Sequence, residues 1–169
     1  YDDYNLTGWS HGPLVDGQSQ GVGTNVSSVR VEWAVDCTTP LPDPDLVPSP
    51  RSGAADPVVA SLDQGTRDQD TLIIGRPAYF DWGVENIDAG NAGAFGVKMW
   101  IDDVLYVDTA YSSLSAGASV GVDDLLVDDW TEPGCFSVRL AADVNGQVDE
   151  SDEGNNIWTG QVCWRNPTV

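Results

Sequence analysis

The order of apolar and polar residues predicts short strands and no helix. In SSVRVEWAVDC, residues 27 to 37, Val29, Val31, Trp33, Val35 and Cys37 alternate with Arg30, Glu32 and Asp36. Side chains two apart share one face of a strand, so this segment has a face to bury. PAYFDWGVEN, residues 77 to 86, places Ala78, Phe80, Trp82 and Val84 together in the same way. AFGVKMWID, residues 94 to 102, does so with Phe95, Val97, Met99 and Ile101, although Trp100 crosses the pattern. Val104–Asp108 follows an Asp102-Asp103 turn, and Ser119–Val127, Cys135–Val144 and Ile157–Trp164 continue the series. Val58–Leu62 and Leu72–Ile74 are brief apolar runs. Strands this short, roughly ten residues apart and divided by turn signals, predict an antiparallel sandwich.

The first strand stands apart from the others. Before it, residues 1 to 25 are rich in Gly, Ser, Asn and Asp and read as an irregular arm, with Trp9 and Leu14 available to anchor it. After it, TTPLPDPDLVPSP, residues 38 to 50, holds five prolines and predicts an extended, stiff linker. The end of that linker, Asp45-Leu46-Val47, can already begin the next domain. Burying Val29, Val31, Trp33 and Val35 is worth about 6–12 kcal/mol gross, so the strand is not expected to stay solvated. Three placements are open: an extra edge strand on its own domain, a small N-terminal subdomain, or addition to the sheet of a neighbouring molecule. At ~3.1 Å per extended residue the 38–50 linker would reach about 40 Å, beyond its own domain.

Composition narrows the function classes. The 169 residues suffice for one well-filled core and an appendage, and 41% hydrophobic content lies in the globular range. The net charge is -20, with 27 acidic residues against 7 basic ones, and Lys98 is the only lysine. Such a surface repels phosphate backbones and anionic lipid, which argues against nucleic-acid or membrane-surface partners. It suits either a solvated surface in high salt or the binding of divalent cations through oxygen. No apolar run is long enough to span a bilayer. The chain begins at Tyr1 without a signal-like segment, and is expected to be an exported product whose signal has been removed. Asn5-Leu6-Thr7 and Asn25-Val26-Ser27 are glycosylation sequons that fit export, so Asn5 and Asn25 are candidate sites.

Three cysteines fit an oxidising compartment and leave one without an internal partner. Cys135 and Cys163 lie symmetrically about residue 149, the middle of an expected hairpin, and are expected to face each other and bond. Cys37 is then free, or paired with another chain.

DVNGQVDESDEGNNIW, residues 143 to 158, is an acid-rich connection with Gly146 and Gly154 available for positive φ. Asn155 and Asn156 can bond backbone groups that the turn leaves open. Its Asp143, Val148, Glu150, Glu153, Asn155 and Asn156 resemble the ending of the CARDB domain, a cell-adhesion-related module of exported bacterial and archaeal proteins. Upstream, Pro44–Val47 is similar to the ADLV-like opening of that family, and Asn86 to its asparagine after the second strand. Ser113–Ser119 resembles its Leu-x-x-Gly-x-Ser turn, and Pro133-Gly134 precedes the penultimate strand as in the family. The resemblance covers about residues 44–164 and implies an immunoglobulin-like or fibronectin-like sandwich of seven strands. It leaves a 1–40 arm with the 26–37 strand, a Pro-rich linker at 41–50 overlapping the domain start, and a 165–169 tail. The cysteines and an insert at Ser52–Thr71 depart from the family pattern.

Catalytic chemistry finds little footing. The only histidine, His11, sits in the Gly-rich arm, and there is no phosphate loop and no Cys/His metal spacing. No cofactor is expected. A structural calcium ion is one option, with Asp143, Glu150, Asp152 and Glu153 gathering oxygens about a hairpin, although their spacing is not that of an EF-hand. The alternative is that these acids face water while the asparagines fix the turn. Seven tryptophans are many for this length. Trp33 and Trp82 fall at core positions, whereas Trp100, Trp130, Trp158 and Trp164 are candidates for partial exposure, available to a glycan or another subunit. The function expected is a non-enzymatic extracellular structural protein, a subunit of a surface filament that donates its 26–37 strand to the next copy. A heterologous contact of that kind does not close and builds a fibre. The alternative is a monomeric or tethered adhesive module that binds a glycan or a surface protein.

Overall fold

The computed structural model describes residues 41–66 and 69–168. The 26–37 strand with Val29, Val31, Trp33, Val35 and Cys37, the sequons at Asn5 and Asn25, and His11 lie outside the described residues. The chain divides into two units, Tyr1–Thr39 and Pro40–Val169, and the sandwich is built by the second.

Nine strands are formed among the described residues: β1 Leu46–Pro48, β2 Val58–Ser61, β3 Leu72–Ile73, β4 Ala78–Asn86, β5 Phe95–Ile101, β6 Val104–Tyr111, β7 Ser119–Val127, β8 Gly134–Ala141 and β9 Ile157–Arg165. They make an immunoglobulin-like sandwich of two sheets. In one, β4 is flanked by β7 on one side and by β1 and β2 on the other. The second runs β3-β9-β8-β5-β6, all antiparallel except the short β3–β9 pair.

The alternation of the sequence decides which faces meet. Phe80, Trp82 and Val84 of β4 are 0% exposed, as are Val97, Met99 and Ile101 of β5 across the core. Each large apolar side chain taken from water contributes about 1.5–3 kcal/mol. Trp164 and Phe80 stack at 6.2 Å, and Trp130 stacks on Trp164 at 4.7 Å while meeting Phe136 edge-on. The expectation of partial exposure therefore fails for Trp164, which is buried. It shares the inward face of β9 with Val162, two residues away, so pairing parity puts it in the core. Trp158 and Trp130 are half-buried and pack against the same core.

The segment expected to be a linker is partly strand. β1 pairs with β4 through Leu46↔Asn86 and Pro48↔Val84, and β2 continues along the same edge from Val58↔Trp82. Residues 49–57 thus loop out opposite Gly83 alone, whose carbonyl accepts from Ser49 N and whose N–H donates to Pro57. Pro48 is tolerated because an edge strand has one side without a ladder. From that loop Arg51 lies over Gly83 and makes a two-pronged pair with Asp123, at 3.0 Å on each prong. The insert at Ser52–Thr71 is therefore no single excursion, because it contains β2.

On the other edge, β7 carries a bulge. The register steps between Phe80↔Leu125 and Trp82↔Val122, so Asp123 and Asp124 together face Asp81. Asp124 adopts φ 60, and its N–H donates to the buried Asp81 carboxylate at 2.6 Å.

Candidate functional site

The Asp143–Asn156 connection between β8 and β9 fastens the start of the domain. Asp143 is buried and accepts from Gln147 N at 3.0 Å on one oxygen and Val148 N at 2.9 Å on the other. That turn carries Val148 into the core. Glu150 accepts from Leu46 N on one oxygen and from Asn156 Nδ2 on the other. Asn155 Nδ2 donates to both oxygens of Asp45, at 2.9 and 3.2 Å, and Ser151 N donates to Pro44 O at 2.9 Å. Glu153 accepts from Glu150 N, which holds the turn between them. All five motif residues, Asp143, Glu150, Glu153, Asn155 and Asn156, thus serve one clamp on Pro44, Asp45 and Leu46. Burial raises the Glu150 carboxyl above its ordinary value, while the donors from Leu46 and Asn156 pull it down.

Asn86 works beside this clamp. Its side chain is 0% exposed and accepts from Asp45 N at 3.1 Å. Its Nδ2 donates to Gly90 O at 2.7 Å and Leu114 O at 3.1 Å. Its backbone bonds Ala118 O and Gly117 N, so the Leu114–Ser119 turn is tied to it as well. Gly117 stands at φ 68 there, in the left-handed region that glycine enters without a steric penalty. The opening segment, the asparagine, the glycine turn and the acid-rich connection are thereby four parts of one fastening.

The disulfide joins Cys135 and Cys163, which pair directly across β8 and β9. Every pair of that ladder is symmetric about residue 149. With those two bonded, Cys37 has no cysteine left to pair with inside the chain.

The CARDB family model matches residues 44–160, the span that this fastening closes. The chain belongs to the CARDB family. These are cell-adhesion-related domains, and the clamp explains why the family's marks lie so far apart in sequence. Among solved structures, the CARDB domain of the PF1109 protein from Pyrococcus furiosus, in complex with di-metal ions, is 20% identical at TM-score 0.55, over 75% of this chain and 97% of that one. A solution structure of the same domain gives TM-score 0.53, also at 20% identity, over 73% and 97%. A domain of a Methanosarcina acetivorans protein assigned to the cell surface gives TM-score 0.52 at 20% identity, over 73% and 93%. At this identity the likeness shows the fold. No curated protein matches the chain.

Elsewhere on this CARDB domain, the outer face of the five-stranded sheet carries a shallow depression of about 290 Å³ lined by Trp100, Asp102, Asp103, Ser137, Arg139 and Thr159. Thr159, Arg139, Trp100 and Leu105 are register partners in turn across β9, β8, β5 and β6. The Arg139 guanidinium lies 4.0 Å over the Trp100 ring. Asp102 and Asp103, at φ 48 and 69, form the tight turn between β5 and β6 at its rim. The sequence signal for this site was Trp100 itself, which crosses the alternation of β5 and so faces away from the core. Its neighbours come from other strands and become visible only with the register.

Proposed function

We propose that this CARDB domain is a non-enzymatic structural module of an exported, surface-located protein. In this reading the 26–37 strand of one copy adds to the edge of β6, the last strand of its sheet among the described residues, in the next. The contrast between β6 and the other sheet edges carries the proposal. Among the described residues, the β1–β2 edge is broken by the 49–57 loop and β3 has only 2 residues. β7 is kinked by its bulge and bears Asp123 and Asp124. Loops, bulges and charges of this kind keep an edge from pairing. β6 runs 8 residues with Asp108 as its one charge, and Val104 and Leu105 are 52% and 46% exposed. A long apolar edge is a template for one more strand.

Surface location is supported by the family, by the Methanosarcina acetivorans relative, and by a disulfide that suits an oxidising compartment. Cys37 is suited to lock copies together. The reach of the arm is shorter than the linker suggested, because Gly90 N already bonds Asp43 O. A fully extended 38–42 segment would reach about 16 Å at ~3.1 Å per residue, so copies joined this way would stand in close contact.

Deleting residues 1–40 is expected to leave a soluble, folded monomer that does not polymerise, measured by size-exclusion chromatography with circular dichroism. In the full chain, Val104→Lys with Leu105→Lys should block assembly, and Val122→Lys with Leu126→Lys on β7 should not. A full chain that stays monomeric at high concentration, with a deletion that unfolds the sandwich, would place the strand on its own domain instead. Non-reducing electrophoresis of the assembly should show copies linked through Cys37.

The di-metal ions of the Pyrococcus furiosus domain raise the matter of a cation here. Asp143, Asp152 and Glu153 already accept backbone N–H groups, and Glu150 holds Leu46 and Asn156. Among the described residues no three His, Cys, Asp or Glu side chains converge as a metal set. With these acids already engaged by protein donors, millimolar calcium is expected to leave the thermal midpoint unchanged. A rise of several degrees would instead show that a cation binds, and the buried Asn155 and Asn156 Oδ1 atoms, which have no hydrogen-bond partner among the described residues, would be the first oxygens to test.

A further inference from the structure

We infer that the depression on the outer face of the five-stranded sheet binds a neutral saccharide. This does not rest on strand addition, since the depression lies on the sheet face and the proposed joint on its edge. The lining mixes donors with acceptors. Arg139 offers a planar fork of N–H groups, Asp102 and Asp103 offer only oxygens, and Ser137 and Thr159 do both. A ligand that matches such a lining must itself carry donors and acceptors side by side, as a sugar's vicinal hydroxyls do. Stacking on Trp100 holds the Arg139 guanidinium flat and limits its freedom before any ligand arrives. The Trp100 indole supplies the apolar part of the lining, which a sugar's C–H groups require.

Size and charge select further. A depression of about 290 Å³ is at the small end of ligand sites and suits one or two sugar rings. The two aspartates at its rim and the net charge of -20 disfavour acidic sugars. Few contacts in an open site imply a Kd on the order of 1 mM, which serves adhesion through many weak copies rather than one tight one.

The test is two-dimensional NMR of the full chain titrated with cellobiose, maltose and N,N'-diacetylchitobiose. At least one is expected to shift the Trp100 indole N–H and the amides of Ser137 and Thr159. Trp100→Ala should weaken that binding by about tenfold or more. Asp103→Asn should do so too, and it tests the site without risk to the fold because asparagine tolerates the positive φ of that turn. Lys98→Ala, in the next row of the same face, should bind as the parent does. The inference is overturned if none of the three sugars shifts these signals, if binding survives both site substitutions, or if digalacturonate binds more tightly than the neutral sugars.

Discussion

Asn86→Ala is expected to cost about 4 kcal/mol, because the buried Asp45 N and Gly90 O lose their partner together, while Leu114 O keeps its bond from Ala92 N. Asp45 N, Gly90 O and Leu114 O all meet this one amide in a place where it is 0% exposed. Each group left without a partner costs about 1–3 kcal/mol, and the void left by the amide admits water only in part. For a domain of this size the thermal midpoint should fall by about 15 °C. Asn91 provides the control, since its Oδ1 accepts from Ala116 N at 3.0 Å in an exposed setting. Asn91→Ala should cost under about 1 kcal/mol, because water replaces the lost bond. Urea unfolding of the three chains decides the matter. Equal, small losses at both positions would mean that the opening segment is held by the Glu150 and Asn155 bonds and Asn86 only accompanies them.

How far this arrangement could be read beforehand depended on whether a feature was local. Phe80, Trp82 and Val84 announced their face because alternation is a property of one strand, and the same held for Val97, Met99 and Ile101. The clamp was legible only as residue types. Glu150 and Asn155 stood out in the motif, yet nothing in their spacing shows that they face Leu46 and Asp45, the latter 110 residues from Asn155. The continuity of β1 and β2 along one edge was hidden for a related reason. Its register is set by β4, while the residues between them, 49–57, carry the Gly and Pro signals of a simple connection. Trp164 departs from its expected partial exposure because it shares the inward face of β9 with Val162. The β7 bulge was likewise unreadable, because Asp123-Asp124 is also a turn signal in an acid-rich chain.

Replacing Cys135 and Cys163 together with serine is expected to lose about 3–4 kcal/mol, nearly all of it through the unfolded chain. The sequence separation is 28, and closing a loop of that length removes about 12 cal/mol/K of chain entropy in the unfolded state. The folded sheet has little need of the bond. β8 and β9 are held by a ladder from Gly134↔Trp164 to Ala141↔Ile157, and Ala142 N bonds Asn156 O where the connection begins. The near-ultraviolet circular dichroism should therefore match that of the parent chain, and the urea m-value should rise because the unfolded chain expands. Stopped-flow kinetics separates the two possible origins of the loss. A cross-link that acts on the unfolded state speeds the search for the β8–β9 pairing, so its removal should slow folding and leave unfolding nearly unchanged. Faster unfolding with an unchanged folding rate would instead show that the bond holds the native sheet against force. That result would suit a module under load at a surface, and the same pair of rates thus bears on the structural role proposed for the domain.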